Sequence, residues 1–237
     1  AKASGRTWEP CELTSIHRLL ARVTQTSHRG LSSVFREHSY VGVVDHDYVL
    51  LQHQTRLYIV LIGPVSEEYF YQQTLRRWGN MPRIWLSSPA PIAQLVDLGL
   101  ANPASGYDKE SDGEPADVGA AVCRLLAEKA EMLAEYLGLE IENDAILSLP
   151  QLVDAYVPPL NGLPLFVLRL ASHVDWTAEE PCFESLAKEL ARLYRVARLG
   201  PEEEEAPPDE SAPSEEACST AWTMQHVLLP AIRKTYE

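Results

Sequence analysis

Apolar and polar positions change rhythm several times along the 237 residues, and the changes mark out the elements. Glu12 to Ser27 carries Leu13, Ile16, Leu20 and Val23 at helical spacing, which predicts an amphipathic helix. Gly30 to His38 repeats the pattern over a shorter length, with Leu31, Val34 and Phe35 on one side. A strand rhythm follows. Tyr40–Val44 and Tyr48–Gln54 flank Asp45-His46-Asp47, and Thr55-Arg56 leads into the nearly all-apolar run Leu57–Ile62. Their β-branched and aromatic content predicts a three-stranded meander with at least one covered face. Gly63-Pro64 should break the third strand, after which Ser66 should cap a helix reaching about Trp78.

Arg83–Leu86 reads as a short strand, Pro91–Ala101 as a helix and Asn102–Pro115 as an exposed loop. Ala116–Leu137 holds the longest helical pattern, and Leu139–Glu142 and Ala145–Leu147 flank Asn143-Asp144 like a hairpin. Leu149–Trp176 is the most apolar run of the chain and should be core. Within it Leu163, Phe166, Val167, Leu170 and Val174 line one helical face, and Pro164 suits a first helical turn. Thr177-Ala178-Glu179-Glu180 has capping-box form and opens a helix through Phe183, Leu186, Leu190 and Leu193. The last predicted helix is Thr220–Tyr236, where Pro230 should impose a kink or a break.

Composition narrows the function classes. A hydrophobic content of 46% supports a real core, whereas a formal charge of −14 opposes binding to phosphate backbones. Direct nucleic-acid binding is therefore not expected of this chain. Cys11, Cys123, Cys182 and Cys218 are scattered without a C-x-x-C pair, which fits a reducing compartment better than zinc or disulfides. There is no signal peptide and no apolar run of the roughly 18 residues that a membrane span needs, so a soluble intracellular protein is expected. Without an initial methionine, the sequence is expected to be a piece of something longer. Between Pro201 and Glu216 lie eight acidic residues and four prolines, so 199–219 should be a disordered acidic loop.

The candidate chemistry is thin. Asp45-His46-Asp47 offers metal-ligand types, yet adjacent residues point in different directions and turn formation accounts for the aspartates. His53 reads as a structural strand residue with no carboxylate beside it. Glu67-Glu68 and Glu179-Glu180 suit helix starts, where carboxylates complement the helix dipole. No G-x-G-x-x-G, phosphate-binding loop or G-x-S-x-G occurs, and no catalytic residue, metal ligand or cofactor site is expected. The residues describe an interaction domain better than an enzyme.

Three stretches together carry a resemblance. YVGVVDHDYVLLQHQTRLYIV (40–60), EKAEMLAEYLGLEI (128–141) and LVDAYVPPLNGLPLFVLRLASHVDW with EEPCFESLAKEL (152–190) resemble the C-terminal domain of the eukaryotic MutL homologue one family. The resemblance runs from about Glu12 to the end. It implies an α/β fold of two lobes, with a dimerisation lobe at 12–88 and 177–237 and an external lobe at 89–176. It implies a nuclear subunit of mismatch-repair heterodimers, with roles in the DNA damage response and meiotic recombination. The implied partner is a MutL paralogue of the post-meiotic-segregation or meiotic type, and that partner carries the metal-dependent endonuclease.

Endonuclease-bearing relatives have Asp-Gln-His-Ala and a spaced Glu after the strand matching Leu57–Ile62. Here that place reads Gly63-Pro64-Val65-Ser66-Glu67-Glu68, so the resemblance implies a subunit that does not cut. It further implies docking of short aromatic peptides from an exonuclease and other repair proteins, at positions matching Leu13, Gln72 and Glu179. The family's tail ending Phe-Glu-Arg-Cys and its N-terminal ATPase region fall outside these residues. Two other readings compete: a metal-dependent nuclease lobe using Asp45, His46, Asp47 and His53, and a homodimeric scaffold unrelated to repair.

Overall fold

The computed structural model describes residues 11–45, 47–196 and 221–235. They form an α/β fold with two small antiparallel sheets. Two compact units share the chain: the described parts of 1–23, 70–152 and 157–194 make one, and those of 24–69, 153–156 and 195–237 the other. Among the described residues no helix is long and apolar enough to cross a membrane.

The first unit is built on α8 (Glu179–Tyr194), which opens the buried run Cys182, Phe183, Leu186, Ala187, Leu190 and Leu193 to its neighbours. Trp78 packs 4.6 Å from Phe183 and stacks on Tyr136 of α6 (Pro115–Leu137), ring centre to ring centre 6.3 Å. At the other end of α8, Tyr194 lies 5.5 Å from Phe70 and donates its hydroxyl proton to the Pro150 carbonyl. Aromatic pairs in such tilted or offset arrangements add to the energy of burial. Phe70 belongs to α3 (Ile62–Arg76), which carries the chain from the second unit into the first.

The sheet of this unit has the order β4 (Arg83–Pro91), β6 (Ala145–Pro150), β5 (Ile141–Glu142). The predicted hairpin at Asn143-Asp144 is present, with both residues at positive φ (49° and 56°), as a tight two-residue turn between twisted strands requires. Strand β4 is longer than the expected 83–86. Arg83–Trp85 pair with Pro150–Ser148, the ladder then opens, and Ala90-Pro91 rejoin it opposite Ile146-Ala145.

The apolar run 149–176 folds as core. Leu163, Phe166, Val167 and Leu170 of α7 (Leu163–Ser172) are buried, and Pro164 sits in the first turn. Against them packs α4 (Ile92–Ala101), where Gly99 lets the backbones approach. A Cβ there would lie 2.6 Å from Leu168 Cδ1 and 2.9 Å from the Pro164 carbonyl oxygen. Two local expectations fail. The segment 102–115 holds a 3₁₀ turn at Pro103–Ser105 and the single turn α5 (Lys109–Asp112), started by Asn102 and Asp108 side chains that accept from Ala104 N and Glu110 N. Thr177 is no helix cap, because its backbone N–H and hydroxyl both donate to Asp175, at 3.0 and 2.5 Å.

The second unit contains the last turn of α1 (Thr14–Thr26), α2 (Arg29–Glu37), the sheet β1 (Ser39–Val43), β2 (Tyr48–His53), β3 (Arg56–Leu61), and the closing helix. The meander forms as predicted, in the order β1-β2-β3, with a bulge between Tyr40 and Gly42. The third strand ends at Leu61, just before Gly63-Pro64, as expected. Both lie in the first turn of α3, where a proline's missing N–H has no partner to lose. Ser66 is correspondingly inside the helix rather than its cap. Its Oγ donates to Gly63 O at 2.8 Å and accepts from Val196 N at 3.0 Å.

Helical structure runs on through 221–235, and Pro230 neither breaks it nor ends it. A π turn at Met224–Leu228 precedes α9 (Leu229–Thr235), and Leu229 N bonds back five residues to Met224 O. The wider turn leaves Pro230 exposed while Met224, Leu228, Leu229 and Ile232 stay buried. The proposed acidic loop at 199–219 lies outside the described residues.

His38 is buried at the end of α2, with Nδ1 2.8 Å from Phe35 O and its own carbonyl accepting from Arg233. Burial pushes the imidazole below its ordinary range, and the Arg233 charge adds to the effect. The unfolded chain therefore takes up this proton at a higher pH than the folded one, and stability falls as pH drops below about 6.5. His38→Asn, which keeps a donor to Phe35 O, should flatten this part of the acid arm in urea unfolding measured from pH 7.5 to 5. An unchanged slope would remove His38 from the titration. Gly99→Ala should lower stability by about 1–3 kcal/mol through overpacking against Pro164 O, read as a fall in the urea midpoint.

Candidate functional site

The polar corner of the first unit is where α1 (Thr14–Thr26) meets the start of α8. Ser15, Arg18 and Arg22 follow one another at helical spacing and meet carboxylates one turn apart on α8. Ser15 Oγ donates to Glu179 Oε1. Arg18 reaches Glu180 at 3.2 Å, and Arg22 reaches Glu180 at 3.3 Å and Glu184 at 2.8 Å. The Glu184 bond raises Arg22 above its ordinary range, and Lys188 first, then Arg22, holds the Glu184 carboxyl below its own. Each pair is half in water and contributes under about 1 kcal/mol, so the ladder fixes helix register more than it adds stability.

This ladder sets the candidate residues. Leu13, half-buried, stands two residues before Ser15, and Glu179 is exposed at the same corner. Gln72 comes from α3, is buried, and accepts from Arg76 Nη2 at 3.4 Å. Its neighbour Tyr71 faces Arg22 electrostatically, which brings α3 to the same group of charges. An apolar side chain, an amide and a carboxylate on three elements of one unit are what an extended peptide with a bulky apolar end and a base requires.

The other candidates fall into structural places. Asp45 Oδ1 accepts from Asp47 N at 2.9 Å and from Tyr48 N at 3.0 Å, which closes the turn between β1 and β2. His46 lies outside the described residues, and among those described no group of three His, Cys, Asp or Glu is placed to hold a metal. His53 does have a carboxylate beside it, contrary to the sequence reading, because Glu37 at the end of α2 brings Oε2 within 3.5 Å of Nε2. Strand periodicity shows only the neighbours on β2, and this contact comes from another element.

Glu67, read as a dipole-complementing residue, pairs with Arg195 at 3.2 Å. Gly63 makes room for that guanidinium, since a Cβ there would lie 2.7–3.1 Å from its atoms. Burial pushes the Cys182 thiol up to about 11, which leaves it protonated and unreactive at neutral pH. Cys11 and Cys123 are free thiols too.

One surface stands out that the sequence reading left open. On the sheet β1-β2-β3, Val49 and Leu51 are fully buried and His53 is 8% exposed, so one face is covered. The opposite face is apolar as well. Leu57 and Ile59 are 64% and 67% exposed, with Val41, Tyr48 and Leu61 exposed beside them. The register places Ile59 opposite Leu50, Leu57 opposite Gln52 and Leu61 opposite Tyr48, so these side chains form one continuous patch. An antiparallel sheet with one solvated face ordinarily alternates apolar with polar residues. A contiguous apolar face instead marks an interaction surface. The signal was present in the sequence as the unbroken apolar run 57–62.

Comparison with known proteins bears on the whole arrangement. The family model described as DNA mismatch repair protein Mlh1 C-terminus matches residues 12–236. The chain is similar to the DNA mismatch repair protein Mlh1 of Dictyostelium discoideum, 35% identical over 192 residues that cover 81% of this chain and 22% of that protein. It is also similar to the DNA mismatch repair protein MLH1 of Saccharomyces cerevisiae, 32% identical over 241 residues that cover 94% of this chain and 30% of that protein. The chain thus spans less than a third of the length of these curated relatives. With a match that takes in nearly all of its residues, the chain belongs to the family of the DNA mismatch repair protein Mlh1 C-terminus.

Proposed function

We propose that this chain is a non-catalytic pairing module of mismatch repair, which joins a second MutL homologue and receives short peptides from other repair proteins. The observation that carries the reading is the uncovered apolar face of β1-β2-β3. Its side chains are held on a sheet whose other face is buried, so they cannot turn inward. Apolar area of this kind is stabilised by removal from water at about 25 cal/mol per Å². A paralogue of the post-meiotic-segregation or meiotic type is the proposed occupant. The face lies within 12–88, which with 177–237 we take as the dimerisation lobe, leaving 89–176 as the external one. A nuclear location goes with this role.

Catalysis belongs to the partner in this reading. The place of the relatives' Asp-Gln-His-Ala is filled here by the first turns of α3, where Gly63 admits Arg195 and Glu67 pairs with it. A fixed guanidinium beside Glu67 is unfavourable for a divalent cation. The peptide site is proposed at the α1–α8 corner, with Leu13 as apolar contact, Gln72 as amide and Glu179 as the anion for a basic side chain.

Two outcomes follow for pairing and docking. Leu57→Asp with Ile59→Asp should leave the fold intact, since both are mostly exposed, and should weaken pairing with a paralogue's C-terminal domain at least about a hundredfold. Light scattering after size exclusion reads the loss, and full pairing by the double variant would sink the assignment of this face. A homodimeric mass for the chain alone would favour the scaffold reading instead. Glu179→Ala should weaken an aromatic repair peptide about tenfold in fluorescence anisotropy without changing pairing. Equal affinity for variant and parent would take Glu179 out of the site.

A further inference from the structure

We infer that Ser88 is a phosphorylation site for proline-directed protein kinases. Ser88-Pro89 is the only Ser-Pro or Thr-Pro step in the 237 residues. It falls where the β4–β6 ladder opens: from Trp85 to Ala90 strand β4 advances five residues while β6 advances only from Ser148 to Ile146. The surplus residues stand out of the ladder as a bulge. Strand β4 is also the outer strand of its sheet, so no further strand of the described chain flanks it.

Ser87, Ser88 and Pro89 are all exposed. The backbone there is extended, and a following proline disfavours helical geometry at Ser88. These are the properties that a kinase cleft demands. It takes its substrate as an extended segment, needs main-chain atoms not already engaged in a sheet, and for this class needs an imide rather than an N–H after the acceptor. The bulge offers all three on a folded surface, with no local unfolding required.

The transfer uses a nucleoside triphosphate supplied with the kinase. Ser88 Oγ forms a bond to the γ-phosphorus, the bond from that phosphorus to the β–γ bridging oxygen breaks, and the hydroxyl proton passes to the kinase's base. The products are phosphoserine and the nucleoside diphosphate. A phosphate of nearly two negative charges then sits on an exposed strand edge, where its hydration is retained and the fold bears no burial cost. It gives that edge three strong acceptor oxygens, a feature for an arginine-bearing reader to recognise.

The test uses the whole chain, folded, with a mitogen-activated-type kinase and ATP, and maps the product by mass spectrometry. Phosphate should be incorporated at Ser88, retained in Ser87→Ala, and lost at least tenfold in both Ser88→Ala and Pro89→Ala. Circular dichroism of each variant should match the parent, since all three positions are exposed. Incorporation equal in parent and Ser88→Ala would overturn the assignment. So would a folded chain left unmodified while a synthetic 83–92 peptide is phosphorylated, because the bulge would then not present the segment.

Discussion

Everything in the larger unit depends on the burial of α8. Its apolar residues recur often enough that the helix has little free surface, and aromatic contacts hold both ends. Phe183 fixes the start against Trp78 and Tyr136, while Tyr194 fixes the end against Phe70 and the Pro150 carbonyl. Because Phe70 and Trp78 stand at the two ends of one stretch of chain, α8 also sets where residues 70–78 lie. Truncation of any of these rings would remove several kcal/mol of packing. The charged corner with α1 is secondary in energy and primary in position. It decides where Glu179 stands, and it can do so only because α8 is already immobile.

That division separates the residues that make the fold rigid from those displayed on it. Core residues supply the rigidity, and the functional candidates are ordinary side chains displayed on it. Glu179 is a first-turn carboxylate, Gln72 a buried amide and Leu13 a half-buried leucine. None has chemistry beyond its type. Their value lies in the separation that three packed elements impose, and a similar statement holds for the valines and leucines of the uncovered sheet face.

Much of the fold was legible because the pattern was local. The meander, the Asn143-Asp144 hairpin, α6 and the face of α7 follow from periodicity and turn residues within windows of about a dozen positions. What was missed required distant partners. Ser66 and Thr177 have the composition of caps, yet Val196 and Asp175 claim them. His53 gained a carboxylate from another element. The β4 bulge depends on the length of β6, some sixty residues on. The proposed peptide corner came only from family resemblance, since no spacing rule links positions 13, 72 and 179. The apolar sheet face was written in the sequence, but an all-apolar strand reads the same whether both sides are covered within the chain or one awaits a partner.

The π turn before Pro230 shows how a helix can hold a residue too many. Its five-residue step between Met224 and Leu229 keeps both on the buried side, although ordinary helical phase would separate them by about 140°. The last helix is thus two in-phase segments joined by a one-residue insertion. Deleting a residue within 225–227 would restore regular winding and place Leu229 four residues after Met224, about 40° round the helix, so that Leu229 and Ile232 would stay on the side that Met224 faces. The wide turn is what lets this segment carry one residue more than a regular helix with the same buried face.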